Sequence, residues 1–344
     1  SNALINSSTS QPLVDIIMQS VTVVEDNENA VLMLKAANGV TGAADVTVRA
    51  TDPSGHIFEQ IFHVNIQSDA TNSNPFLDEI PRVRTTQGTP ISLTVQALDP
   101  DPNPSGQGIK YLDQGTLDVN GLDVPYTTNS NNLAYSVGIN SGVVNVTPTA
   151  SFVGTEKITI ATGITTIAID YQVVPIEVVS AATDLTLSAT NDPQHDAAND
   201  GTADTFQVRL NNSGLLEVSI NGKVTQLATL ASVQTLIING SADTDTLTDD
   251  FSNGNPIPAG GLEFNGDDQA VGGSDQMIVK GASGSKLGYT LTGTKDGSLQ
   301  ANDVTLITFT GLEAIRDDFE TINRTVQFAE TGGSAILSVD PAFT

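Results

Sequence analysis

Residues 31–66 read VLMLKAANGVTGAADVTVRATDPSGHIFEQIFHVNI, and residues 143–178 read VVNVTPTASFVGTEKITIATGITTIAIDYQVVPIEV. Laid over one another at an offset of 112 and without a gap, they keep one apolar phase. Gly42 falls over Gly154, Val46 over Ile158, Val48 over Ile160, Gln60 over Gln172, Val64 over Ile176 and Ile66 over Val178. Successive side chains of a strand point to opposite faces, and a slip of one residue would turn every apolar group outward. A shared phase therefore means that the same side of each strand faces a core in both copies. The stretch reads as one β-built unit made twice.

The same alternation extends outward. VTV (21–23), DVTVRAT (45–51), ISLTVQAL (91–98), KITIAT (157–162), VPIEVV (174–179) and LTLSAT (185–190) all have strand character. DPSG (52–55), NSG (140–142), NDG (199–201) and NNSG (211–214) are turn signals between such runs. The best helix candidate is LATLASVQTLI (227–237), but its Val, Thr and Ile content and the Asn239-Gly240 that follows favour strands. The expectation is an all-β protein.

The second copy begins near Asn74-Pro75-Phe76, long before its matching half, whereas the first has only residues 4–30 before its own. A sandwich that lacks strands leaves an open face and bare edges. Either residues 4–26 substitute for the missing strands, or this end packs on something else. The expected divisions are a truncated module at 4–70, a complete module at 71–180 and a C-terminal domain at 181–344. In that last region Ile220-Asn221-Gly222, Ile238-Asn239-Gly240 and Phe264-Asn265-Gly266 recur. Asn-Gly suits a tight turn. The recurrence suggests rungs of a β-solenoid or a stacked hairpin sheet, with an ordinary sandwich as the alternative.

Composition narrows the function. Lys plus Arg is 13 against 40 Asp plus Glu, a net charge of −27. Nucleic acid and anionic membranes are polyanions and do not suit such a surface. There is no cysteine, which removes disulfides, thiolate catalysis and Cys-type metal sites. No apolar run approaches the roughly 20 residues of a membrane span. The opening Ser1-Asn2-Ala3 has the look of a tag-removal scar.

Residues 97–106, ALDPDPNPSG, hold the strongest metal-binding pattern. As an EF-hand loop from Asp99 it fails: Pro104 stands where glycine belongs and Lys110 where the bidentate glutamate belongs. Its alternating prolines also favour extended backbone over a curl around an ion. Val95-Gln96-Ala97-Leu98-Asp99-Pro100-Asp101 instead resembles the V-x-A-x-D-x-D segment of cadherin repeats. The preceding 69–76, DATNSNPF, partly resembles the cadherin linker, and Val48-Arg49-Ala50-Thr51-Asp52 echoes the same family. Gly42 and Gly154 match the F-x-G-x-x-x-I-T-I pattern of cadherin-like and immunoglobulin-like β-sandwich modules in large bacterial surface proteins. The resemblance implies Ca2+ at the module junction, held by Asp69, Asn72, Asn74, Asp99 and Asp101. Ser73 replaces the linker aspartate, Gly163 stands where another would be expected, and Glu25 and Glu28 are candidates from the preceding module. Weak affinity follows, and the alternative is a solvated acidic linker.

Other signals are thinner. GGSDQMIV (272–279) resembles one degenerate copy of the calcium-binding β-roll turn. DAANDGTAD (196–204) spaces Asp196, Asp200 and Asp204 by four, but aspartate in β-turns is the default. His56, His63 and His195 lie beside no nucleophile pattern, and no hydrolase, zinc-protease or phosphate-loop motif is present. The expectation is no enzyme. A glycan-binding platform is poorly supplied, with no Trp and only five Tyr. The order DNENAVLMLKA, NSNPFLDEIPRVRTT, ATDLTLSATNDP also resembles the non-catalytic tail behind cyclophilin-type peptidyl-prolyl isomerase domains of secreted bacterial proteins. That resemblance implies an accessory region, because the isomerase signature itself is absent. Together these readings imply a structural or adhesive spacer of an extracellular or cell-surface protein. Its partners would be the other modules of that protein, or a surface protein or glycan.

Overall fold

The structure is a computed structural model. It describes residues 18–25, 30–36, 42–51, 56–66, 75–99, 108–119, 122–127, 131–163, 167–168, 170–188, 203–266, 274–301 and 305–329. The all-β class holds: among the described residues every regular element is a strand, apart from a 3-10 turn at Leu230–Ser232. The 227–237 stretch is accordingly strand, turn, strand. No helix among the described residues is long and apolar enough to cross a membrane. The chain forms two compact units, Ser1–Ser180 and Ala181–Thr344.

The first unit holds β1 (Met18–Glu25), β2 (Ala30–Ala36), β3 (Gly42–Thr51), β4 (Ile57–Ile66), β5 (Phe76–Leu77), β6 (Arg82–Thr86), β7 (Ile91–Thr94) and β8 (Ala97–Leu98). It continues with β9 (Lys110–Leu112), β10 (Gln114–Val119), β11 (Leu122–Thr127), β12 (Leu133–Val137), β13 (Val143–Pro148), β14 (Gly154–Gly163), β15 (Ile167–Ala168) and β16 (Asp170–Val179).

The repeat read from the sequence is present in the strand register. β3 and β4 pair antiparallel with Gly42 opposite Ile66, Val46 opposite Phe62 and Val48 opposite Gln60. β14 and β16 pair with Gly154 opposite Val178, Ile158 opposite Val174 and Ile160 opposite Gln172. All nine pairs of the second hairpin repeat pairs of the first at the same offset. Both hairpins open on a glycine at positive φ, 150° at Gly42 and 135° at Gly154, where a side chain would strain the backbone.

Their surroundings differ. β16 takes β6 as a parallel neighbour, and β14 takes β9 as an antiparallel one. A second sheet runs β12, β13, β7. Ile158, Ile160, Val174 and Ile176 are fully buried, as are Val144 and Val146 of the second sheet. Burying each such side chain contributes about 1.5–3 kcal/mol. Among the described residues β3 and β4 pair only with each other. Phe58 and Phe62 of that hairpin remain 67% and 48% exposed. Ile57 and Ile61, on its other side, are 58% and 61% exposed.

The second unit holds β17 (Thr183–Ser188), β18 (Asp204–Leu210), β19 (Leu216–Ile220), β20 (Lys223–Ala228), β21 (Val233–Asn239) and β22 (Asp245–Asp250). β23 (Leu262–Asn265), β24 (Gln276–Leu291), β25 (Gly297–Ala301), β26 (Thr305–Thr310) and β27 (Ala314–Phe328) follow. Two parallel ladders organise it. One stacks β17, β21, β23 and β26, the other β18, β22, β24 and β27. The chain alternates between them, so it climbs in four rungs, the arrangement expected of a β-solenoid. The β19–β20 hairpin and β25 are inserted between rungs. Like positions stack: Leu185, Leu236, Leu262 and Ile307 form one apolar column, and Phe206, Leu247, Met277 and Ile315 another. Phe206 of one ladder meets Phe264 of the other edge-to-face at 6.4 Å, so the two ladders close on a common core.

The Asn-Gly turns need one correction. Asn221-Gly222 is a tight hairpin turn, with Asn221 at φ 49° and Ile220 opposite Lys223. Asn239-Gly240 and Asn265-Gly266 are not hairpin turns. They are corners where one rung passes from the first ladder to the second. Their asparagines stack, Asn265 Nδ2 donating to Asn239 Oδ1 at 2.7 Å, and Thr310 Oγ1 donates to Asn265 Oδ1 at 2.7 Å.

Candidate functional site

Of the five residues of the calcium reading, only Asp99 lies among the described residues. β5 pairs antiparallel with β8, Phe76 opposite Leu98 and Leu77 opposite Ala97. Asp78 N donates to Gln96 O at 2.9 Å. One further register step sets Asp99 opposite Pro75, beside the end of the linker. Asp99 is half-buried. Asp69, Asn72, Asn74 and Asp101, together with Glu28, lie outside the described residues, and Glu25 ends β1. Among the described residues no three His, Asp or Glu side chains are placed to hold one metal ion.

Beside β5, two side chains of β16 clamp the segment that leads into the module. Gln172, 1% exposed, accepts from Ile80 N at 3.0 Å through Oε1. Its Nε2 donates to Asp78 O at 3.0 Å and Leu77 O at 3.4 Å. Asp170 Oδ2 accepts from Leu77 N at 2.8 Å. Leu77 and Ile80 are each 1% exposed. Buried backbone groups must find partners, and one amide side chain serves three of them here. The repeat alignment paired Gln172 with Gln60 but gave no hint of this task.

The second unit stacks its own polar column. Register sets Asp204 beside Asp245, and one step before β24 and β27 come Asp275 and Glu313. Asp245 Oδ2 accepts from Ser241 N at 2.6 Å, Asp275 Oδ1 from Asp245 N at 2.8 Å, and Glu313 Oε2 from Asp275 N at 2.6 Å. Asp275 and Glu313 thus each accept from a backbone N–H of the rung before, and Asp245 from the corner of its own rung. Asp204 Oδ1 accepts from Asn221 Nδ2 at 2.9 Å. Burial is the main cause that pushes Asp245 up to about 7, with the charges of Asp275, Asp204 and Asp243 adding to it against the Ser241 N–H. The column is a structural device: it closes the corner hydrogen bonds of stacked rungs. The GGSDQMIV stretch thus contributes Asp275, and DAANDGTAD contributes Asp204. Asp196 and Asp200 lie outside the described residues.

Asp249 is a separate matter. It follows Leu247 in the inward phase of β22, between Val208 and Val279 on the adjoining rungs. It is fully buried, and neither carboxyl oxygen has a hydrogen-bond partner. Desolvation pushes it up to about 8. The alternation of TLTDDF (246–251) carried the signal, since Asp249 falls on the phase of Leu247.

His63 Nδ1 lies 2.7 Å from Asp45 Oδ1 on the Ile57–Ile61 face of β3–β4, with both side chains more than half exposed. His56 lies one residue before β4, and His195 is outside the described residues. Of the tyrosines, Tyr111 and Tyr289 are 8% exposed, and Tyr135 donates to Asp113 O at 3.1 Å. The largest described aromatic exposure belongs to Phe58 and Phe62. No protein-family model matches the chain, and no curated protein matches it.

Proposed function

We propose that the chain is a non-enzymatic, modular region of a secreted or cell-surface protein, a spacer or adhesive arm. In this reading, immunoglobulin-like or cadherin-like modules precede a stack of parallel rungs. The observation that supports it best is the hairpin built twice at one register, 112 residues apart. Repetition of a packed unit along a chain is how extended arrays are made. The second unit is also a repeat, of rungs rather than modules.

Calcium belongs to the same proposal. Its ligands would be Asp69, Asn72, Asn74, Asp99 and Asp101, oxygen donors on loops that suit a hard cation. The β5–β8 pairing favours it by setting Asp99 beside the linker's end. A spacer must resist extension. Pulled from its ends in a single-molecule force instrument, the chain should give separate unfolding events for residues 71–180 and 181–344. Calcium should raise the force of the first. Extension without resistance would remove the spacer reading.

A further inference from the structure

The structure holds one hairpin in two states of completion, and the complete one shows what fits the other. In the complete copy, Leu77–Ile80 lies on β16 under the Gln172 amide. β6 follows directly and runs parallel beside β16, Val83 opposite Ile176 and Thr85 opposite Val178. In the other copy the equivalent of Gln172 is Gln60, exposed, on the same face as Phe58 and Phe62. The edge of β4 equivalent to the β6-bearing edge of β16 is unpaired among the described residues.

We propose that β3–β4 is a strand-acceptor site, and that its occupant is the lead-in segment of another module of this type on a separate polypeptide. The chemistry is that of Leu77–Thr86. An extended peptide presents an amide N–H and a carbonyl to Gln60 and sets two aliphatic anchors against Phe58 and Phe62. It then continues as a strand parallel to β4 along Val64–Ile66. Strand addition of this kind takes its affinity from main-chain hydrogen bonds and its selectivity from alternate side chains. The match differs at one point. Phe58 stands where Asp170 accepts a hydrogen bond from Leu77 N. The open site therefore trades that bond for apolar contact, and favours an aliphatic or aromatic residue there. Exposed apolar groups beside an unpaired edge are otherwise a liability. This inference rests on the duplicated register and on neither calcium nor location.

The test is titration of the full chain with a fluorescent peptide of residues 74–86, NPFLDEIPRVRTT, read by anisotropy. Saturable binding is expected, weakened about tenfold or more by Gln60→Ala and by Phe62→Asp. Each substitution alters an exposed side chain, and circular dichroism checks that the fold is kept. Ile61→Asp, on the opposite side of β4, should leave binding unchanged. No saturation at millimolar peptide would overturn the proposal. So would equal binding by all variants, which would place the peptide elsewhere. A dimer of the peptide-free chain that Phe62→Asp abolishes in sedimentation would support the proposal, with a second copy as the separate polypeptide.

Discussion

Asp249 costs the fold stability, and its cost depends on pH. Its carboxyl is held protonated up to about 8, while in the unfolded chain it ionises near the ordinary 3.8. Below both values the group contributes no difference. Between them the unfolded chain gives up a proton that the folded chain keeps, so stability falls as pH rises through that window, then levels off. The slope for one such group is about 1.4 kcal/mol per pH unit. Asp249→Val would extend the Val208–Val279 column. It should raise stability at pH 7 by roughly 2 kcal/mol or more and flatten the pH dependence of the denaturation midpoint. An unchanged midpoint at both pH 5 and pH 8 would contradict this. Gly240 is a residue of the opposite kind. A Cβ there would meet the Asp245 carboxylate, and Gly266 stands in the same relation to Asp275. Gly240→Ala should lower the melting temperature by several degrees, the scale of about 1–3 kcal/mol for displacing a buried hydrogen-bonded group. The sequence marked both glycines as turn residues. It did not show that the space they leave is filled by aspartates five and nine residues on.

At the level of elements, the two hairpins make a controlled comparison. Gln172→Ala would remove the amide's hydrogen bonds to Ile80 N, Asp78 O and Leu77 O in the core, a loss of roughly 3 kcal/mol. Gln60→Ala, at the equivalent exposed position, should change stability by less than about 0.5 kcal/mol. Urea denaturation of both variants reads the difference. The strand pattern was legible because alternation is local: Val46, Val48, Ile158 and Ile160 announce their faces within five residues. The offset match went further and fixed the hairpin register, because both hairpins keep the same spacing between their strands. The acid column was not legible. Asp204, Asp245, Asp275 and Glu313 are stacked by parallel pairing, yet uneven insertions separate them. The β19–β20 hairpin falls in one interval and the β24–β25 crossing in another, so no fixed period survives in the sequence. The Asn-Gly pairs misled for a related reason. A parallel rung corner and a hairpin turn draw on the same residues, and only the partner strand tells them apart.

At the scale of the whole molecule, the two hairpins differ in how far the described residues cover them. Calcium is a prediction at this scale. If the linker and D-x-D residues hold it, millimolar calcium should raise the melting temperature relative to excess chelator, because a ligand of the folded state alone stabilises it. The rise should vanish in the Asp99→Asn, Asp101→Asn double variant, and no rise in the parent chain would leave the segment as a proline-stiffened linker. Hydrogen exchange followed by mass spectrometry on the intact chain reads the difference between the hairpins directly. Amides of β14 and β16 are flanked on both sides and sit over a buried face, whereas among the described residues β3 and β4 have no outer neighbour. Exchange reports such local differences in opening free energy. Residues 154–179 should be protected many-fold more strongly than 42–66, and peptide 74–86 should slow exchange in 42–66 alone. Equal protection of the two hairpins in the peptide-free chain would contradict this.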